Sequence, residues 1–280
     1  MSLASDPQTL ARPARAAFWS AVAQTWRLVM RRWSARFGLA VIAAFAFAAL
    51  AAPLITPYGP YQTDMAALIQ PPSAAHIFGT DELGRDIFTR IVYGARISLV
   101  EGFFPVAIAM LIGVPIGMLS GYLGGIADRI IMRLIDVILA FPGVLLAIVV
   151  VSILEPGLVN ALIAVAIYMI PIFARLARGS TLSVVAEPYI EASRMIGMSD
   201  ARILLRHILP NISTTLLVVA TLRVGLAILT ASSLSFLGLG AQAPTPEWGA
   251  MLASGRAYVL IAPHMVLFPG LAIMLLVLAL

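Results

Sequence analysis

No cysteine and no lysine occur anywhere in these 280 residues, and each absence removes a class of chemistry. Without cysteine there is no disulfide framework, no thiol nucleophile and no thiolate metal site. Without lysine there is no P-loop lysine, no Schiff-base lysine and no kinase-type lysine, so any nucleotide chemistry must be borrowed from another chain. Charge is scarce as well, at 11% of residues against about 25% in an ordinary soluble domain. What fills the chain instead is apolar: 61% hydrophobic residues and a mean hydropathy of +1.00. Most of this lies in runs long enough to cross a hydrocarbon layer, which makes the chain one integral membrane domain.

All 18 basic residues are arginine. They sit beside the ends of apolar runs and not in a basic domain with interleaved aromatics, which argues against a nucleic-acid partner and for contact with membrane lipid. His76, His207 and His264 are far apart in sequence. No Ser-His-Asp, paired-carboxylate or metal-ligand pattern is visible, so the chain is not expected to be an enzyme or to hold a cofactor or metal.

Six spans of roughly 20 residues are predicted, making an all-α integral membrane fold: Phe37 to Ile55, Leu99 to Leu119, Ile130 to Leu154, Leu158 to Leu176, Thr214 to Leu237, and Pro263 to the end. Pro105, Pro115, Pro142 and Pro171 fall inside the middle spans, predicting bent helices whose freed backbone groups are met by neighbours. The last run stops at Leu280 without an interfacial anchor; the natural chain or its relatives are expected to continue further.

Residues 1–36 form a tail too long and polar for an ordinary signal peptide. Trp19, Trp26 and Trp33 recur every seven residues, with Arg27, Arg31 and Arg32 at the membrane-entry end. This predicts an interfacial helix, the alternative being an aromatic belt beside the first span. Residues 37–280 then make the transmembrane domain. Thirteen arginines fall in the tail and in the connections at 121–133 and 175–211, against Arg85, Arg90, Arg96 and Arg256 on the other side. That asymmetry predicts a multi-pass protein of the cell inner (plasma) membrane with a cytoplasmic N-terminus.

The connection over residues 177–211 is long and polar, and long ordered loops tend to carry function. Glu187 and Pro188 read as a helix start and Gly197 as a left-handed C-terminal cap, giving a short helix Pro188 to Ile196. Tyr189, Ala192 and Ile196 share one face of it. Ser199 and Asp200 start a second helix running toward Pro210. The short helix either folds back on neighbouring spans or receives a cytoplasmic partner.

The segment EASRMIGMSDARILLRHILP resembles the EAA signature of ABC importer permeases, with Glu191, Ala192 and Ser193 as its opening triplet, Gly197 as its glycine and Leu209 with Pro210 as its close. Ser193 and His207 depart from the general pattern, the histidine in the manner of the peptide-permease subgroup. HIFGTDELGRDIFTRIVYGARISL (His76 to Leu99), SLSFLGLGAQAPTPEWGAMLASGR (Ser233 to Arg256) and the Met132 to Pro142 stretch are similar to C-type permease subunits of dipeptide, oligopeptide and nickel importers. The resemblance implies a type I importer fold and a homologous second permease subunit. It further implies an extracytoplasmic substrate-binding protein and two ATPases that hold the ATP and Mg. The short helix would be the coupling helix docked in an ATPase cleft. A nickel or glutathione importer stays open, and so does an ion-coupled secondary transporter.

Four residues are singled out within or beside the spans. Asp136 is expected to pair with Arg133 as a structural ion pair. Arg223, inside the fifth run, is a candidate for the substrate pathway or for a bond to helix carbonyls or a partner's acid. Glu101, at the mouth of the second run, is a second pathway candidate, the alternative being a carboxylate that faces water.

Overall fold

The computed structural model describes residues 31–280; the part of the expected interfacial helix that precedes Arg31 lies outside them. Among the described residues the chain is helical, without a named strand. All six predicted runs form helices, although not all as single spans. The first is α1, Trp33–Ile55. The second is α2, Ile87–Leu123, begun by Asp86, whose carboxylate accepts the Thr89 N–H at 2.7 Å. This N-cap satisfies one of the donors that open every helix, and it starts the helix twelve residues before the predicted apolar run.

The third run is where the structure departs from expectation. It forms two helices, α3 (Gly125–Leu139) and α4 (Gly143–Leu154), bent by 88° at a break. Pro142 causes the break: its ring disfavours helical geometry at Phe141 and it has no N–H for the ladder. The fourth run is α5, Leu158–Val185. A short α6, Pro188–Met195, follows, then α7, Asp200–Ile203, which passes through a π-helical turn, Leu204–Ile208, into α8, Leu209–Phe236. Pro210 explains the π turn, because a proline cannot donate to the carbonyl four residues back and a widened turn accommodates its ring. The chain ends with α9, Trp248–Gly255, and α10, His264–Ala279. At 16 residues α10 is shorter than the roughly 20 that a full span needs. Among the described residues four helices, or five with the bent pair taken as one, are long and apolar enough to cross a membrane.

The hydrophobic effect does not drive helices together in lipid, so close backbone approach must. Gly113, Gly117 and Gly121 on α2 lie four residues apart and face Phe173, Ala174, Ala177 and Thr181 on α5. A Cβ added at Gly117 would sit 2.9 Å from the Ala177 Cβ. That stripe of small residues holds α2 against α5, and α8 packs against both.

One end of this bundle carries α6 and α7. The opposite end is closed by a cap of residues 56–86 and 237–263. Within the cap Trp248 is fully buried and donates its indole N–H to the Ile91 carbonyl at 3.1 Å; Gly94 makes room for the ring, a Cβ there falling 2.7 Å from the indole nitrogen.

Candidate functional site

The α6 end is built from local rules. Glu187 is the N-cap residue, Pro188 opens the helix, and Gly197 ends it with φ +77°, the left-handed conformation that favours glycine. Nothing stands within 4 Å of a Cβ placed at Gly197, so backbone geometry and not crowding calls for glycine there. Ile190 and Ser193 face the protein, Ile190 with no exposure. Tyr189, Glu191, Ala192, Met195 and Ile196 are exposed, Met195 and Ile196 at 84% and 78%. Ser193, grouped with its neighbours by the signature, therefore points inward; its hydroxyl donates to the Tyr189 carbonyl at 2.7 Å. Its small side chain lets the helix lie close to the bundle.

Two polar links tie this helix to the spans. Asn211, in the first turn of α8, donates through Nδ2 to the Tyr189 hydroxyl at 3.2 Å and to the His207 carbonyl at 2.6 Å. Tyr122, at the last turn of α2, donates to Asp200 Oδ1 at 2.6 Å, while the Arg194 guanidinium lies 4.8 Å from the centre of its ring. Side-chain contacts thus join α6 to α8 through Asn211 and to α2 through Tyr122. Sequence reasoning missed both residues, since a polar group at the end of an apolar run carries no signal of its partner. Pro210 sits beside Asn211 in the first turn of α8 and follows the π turn.

The expected Arg133–Asp136 pair does not form. Asp136 pairs with Arg175 on α5 at 2.5 Å, both about half exposed. A second bridge joins Asp128 to Arg178 through Nε at 2.5 Å and Nη2 at 2.6 Å. The reason is the bend after Leu139: it lays α3 across α5, so guanidiniums of α5 reach the carboxylates first.

Glu101 also departs from expectation. Because α2 starts at Ile87, Glu101 lies about four turns inside the helix and has no solvent exposure. Neither of its oxygens finds an N–H or O–H donor among the described residues. What faces it is the Glu247 carboxyl. Glu247 is itself fully buried and caps α9, accepting the Gly249 and Ala250 N–H groups at 2.6 and 2.7 Å. Glu101 thus neither faces water nor lines a pathway in this conformation. Arg223 lies half-buried in α8 and makes no ion pair among the described residues.

The acids of Gly79 to Asp86 are consumed by the cap. Asp81 accepts from Arg85 Nε at 2.7 Å and lies 3.5 Å from Arg90 Nε. Arg90 also donates to the Pro60 and Pro244 carbonyls at 3.2 and 3.3 Å, joining both halves of the cap. Among the described residues no cluster of three or more His, Asp or Glu could hold a metal.

This architecture matches known proteins. A family model described as binding-protein-dependent transport system inner membrane component matches residues 113–280, and one described as the N-terminal TM domain of oligopeptide transport permease C matches residues 20–72. The dipeptide transport system permease protein DppC of Alkalihalophilus pseudofirmus is 52% identical over 241 residues, covering 86% of this chain and 79% of that protein. The glutathione transport system permease protein GsiD of Pectobacterium atrosepticum is 51% identical over 255 residues, covering 91% and 85%. Among solved structures, the MetNI methionine ABC transporter in an inward-facing conformation aligns with a TM-score of 0.57 and 19% identity, over 67% of this chain and 89% of that one; this likeness bears on the fold. The bundle with its short exposed helix and the extended matches agree: the chain belongs to the binding-protein-dependent transport inner membrane components and is a multi-pass permease subunit of an ABC importer.

Proposed function

We propose that this permease carries dipeptides or a related short peptide such as glutathione into the cell, with α6 as the docking element for ATPases on separate chains. The observation that carries the reading is α6 itself: an eight-residue helix with Tyr189, Ala192 and Ile196 uncovered, bound through Tyr189 and Arg194 to two different spans. A helix of two turns is not stable alone in water, and its apolar outward face calls for a partner surface. The names of the relatives at 51–52% identity support the peptide class.

In this reading the N-terminus and α6 lie on the cytoplasmic side, two ATPases hold ATP and Mg, a homologous permease completes the pathway, and an extracytoplasmic binding protein delivers substrate to the cap of residues 56–86 and 237–263. Closure of the ATPases moves α6, and the links through Asn211 and Tyr122 convert that movement into a change in which side the pathway opens to. Glu187, Glu191 and Gly197 shape and charge the docking helix. Arg223 is the pathway residue, a guanidinium held inside a span where it can meet a peptide carboxylate.

The test is uptake by the reconstituted complex in proteoliposomes. Labelled dipeptide or glutathione should accumulate only with internal ATP and the matching binding protein. Accumulation that persists without ATP and collapses with an ion gradient would point to a secondary transporter. An Ile196→Cys variant should cross-link to the ATPase subunit, and failure to do so would remove the docking role.

A further inference from the structure

The two halves of the bent third run lie differently against α5. Helix α4 runs alongside it: a Cβ at Gly143 would touch the Tyr168 ring at 2.9 Å, and the Leu154 carbonyl accepts from Asn160 Nδ2 at 2.6 Å, so both ends of α4 find α5 in antiparallel order. Helix α3 crosses it. Asp128 and Asp136 are about 12 Å apart along α3 at 1.5 Å per residue, yet they pair with Arg178 and Arg175, only about 4.5 Å apart along α5. With the 88° bend, this sets α4 along the spans and α3 nearly perpendicular to them, at the depth where the arginines of α5 begin.

The surface of α3 suits that attitude. Ile126, Ile130, Leu134 and Val137 form one stripe at helical spacing, and they are 72%, 57%, 62% and 56% exposed. Arg129 and Arg133, one turn apart, run along the border of the stripe; both are exposed, and neither has a carboxylate partner among the described residues. They line an open crevice of about 920 Å³ with Asp128, Asp136 and Arg178. The two aspartates there are already neutralised by Arg178 and Arg175, which leaves Arg129 and Arg133 as uncompensated positive charge.

We infer that α3 is an in-plane helix embedded in the membrane interface, with Arg129 and Arg133 forming a binding site for the phosphate of an anionic phospholipid. An apolar stripe bordered by arginines is what an interfacial helix requires, and each basic residue near an anionic surface adds attraction. The charge decides against a protein occupant with an apolar groove, which would leave two guanidiniums facing nothing. The inference does not depend on what the permease transports.

The experiment uses the assembled transporter in nanodiscs of phosphatidylglycerol or phosphatidylcholine. Native mass spectrometry after mild delipidation should show phosphatidylglycerol retained by the parent complex and retention reduced at least twofold by Arg129→Gln with Arg133→Gln. Arg129→Lys with Arg133→Lys should restore it. Equal retention in parent and glutamine variant would overturn the lipid site. Because the chain has no cysteine, a spin label on Leu134→Cys reports the helix directly, even if the glutamine variant fails to assemble. Accessibility to oxygen with exclusion of a polar nickel chelate is the expected result; exclusion of both reagents would mean that protein covers the stripe and would overturn the inference.

Discussion

Glu101 of α2 and Glu247 at the start of α9 bring two fully buried carboxyls face to face, neither of them in a salt bridge among the described residues. Two like charges so placed repel each other, and burial penalises the charged form of each. Burial pushes the Glu247 carboxyl above its ordinary 4.5, outweighing the two N–H bonds that favour the charged form.

A group whose folded state holds its proton more tightly than the unfolded state adds stability at acid pH and loses it as pH rises toward the raised value. The protection of the Gly249 and Ala250 amides, measured as exchange relative to its intrinsic base-catalysed rate, should therefore fall as pH rises past the carboxyl's ordinary 4.5. Glu101→Gln, which keeps a donor and removes the second acid, should flatten the dependence. An unchanged profile in the variant would show that Glu101 does not act on the Glu247 carboxyl.

Asn211 carries the side-chain link between α6 and α8. Asn211→Leu should leave the complex assembled and the ATPases active but lower uptake per ATP hydrolysed, by about fivefold if the bond is worth about 1 kcal/mol. Uptake and hydrolysis measured in the same proteoliposomes check this; an unchanged ratio would show that the link does not transmit force.

Gly197 needs a left-handed backbone without being crowded, so the effect of replacing it should follow backbone preference alone. Gly197→Asn should retain most uptake and Gly197→Val should lose it, since asparagine tolerates that region and a β-branched residue does not. Gly197→Asp should also lower uptake, by adding a charge beside the docking face. Equal uptake by all three would remove the geometric argument.

Gly117 is pressed against Ala177 in the α2–α5 contact. Gly117→Val should lower stability by about 1–3 kcal/mol through overpacking, read as a lower midpoint of thermal unfolding in detergent. Gly179→Ala, on the same α5 but facing open space, is the control and should not lower the midpoint, since alanine is the better helix former.

The spans were legible because apolar runs of about 20 residues have few other meanings, and α6 because Glu187, Pro188 and Gly197 are local punctuation. The 88° break was not, even with Pro142 in view: a proline in a span predicts a bend but not its size, which here depends on α5 supplying Arg175 and Arg178 to a crossing helix. Glu101 was misplaced for a related reason. Its depth is set by the Asp86 cap, which starts α2 before the apolar stretch, and its counterpart Glu247 is 146 residues away in sequence. Pairings across such separations leave no periodic trace in a single chain.

The π turn at Leu204–Ile208 has a consequence for how the fifth span is numbered around its axis. One additional residue in a turn rotates all that precedes it by about 100° relative to all that follows. The stripe that α8 buries at Ile208, Ile212 and Leu216 therefore continues into α7 at Ile203, five residues back instead of four, and the side chains of Asp200 and Arg202 are aimed a quarter-circle away from where a regular helix would send them. Removing one residue from this turn would swing that end of the helix around like a key in a lock, carrying Asp200 away from the Tyr122 hydroxyl while leaving the rest of the span seated.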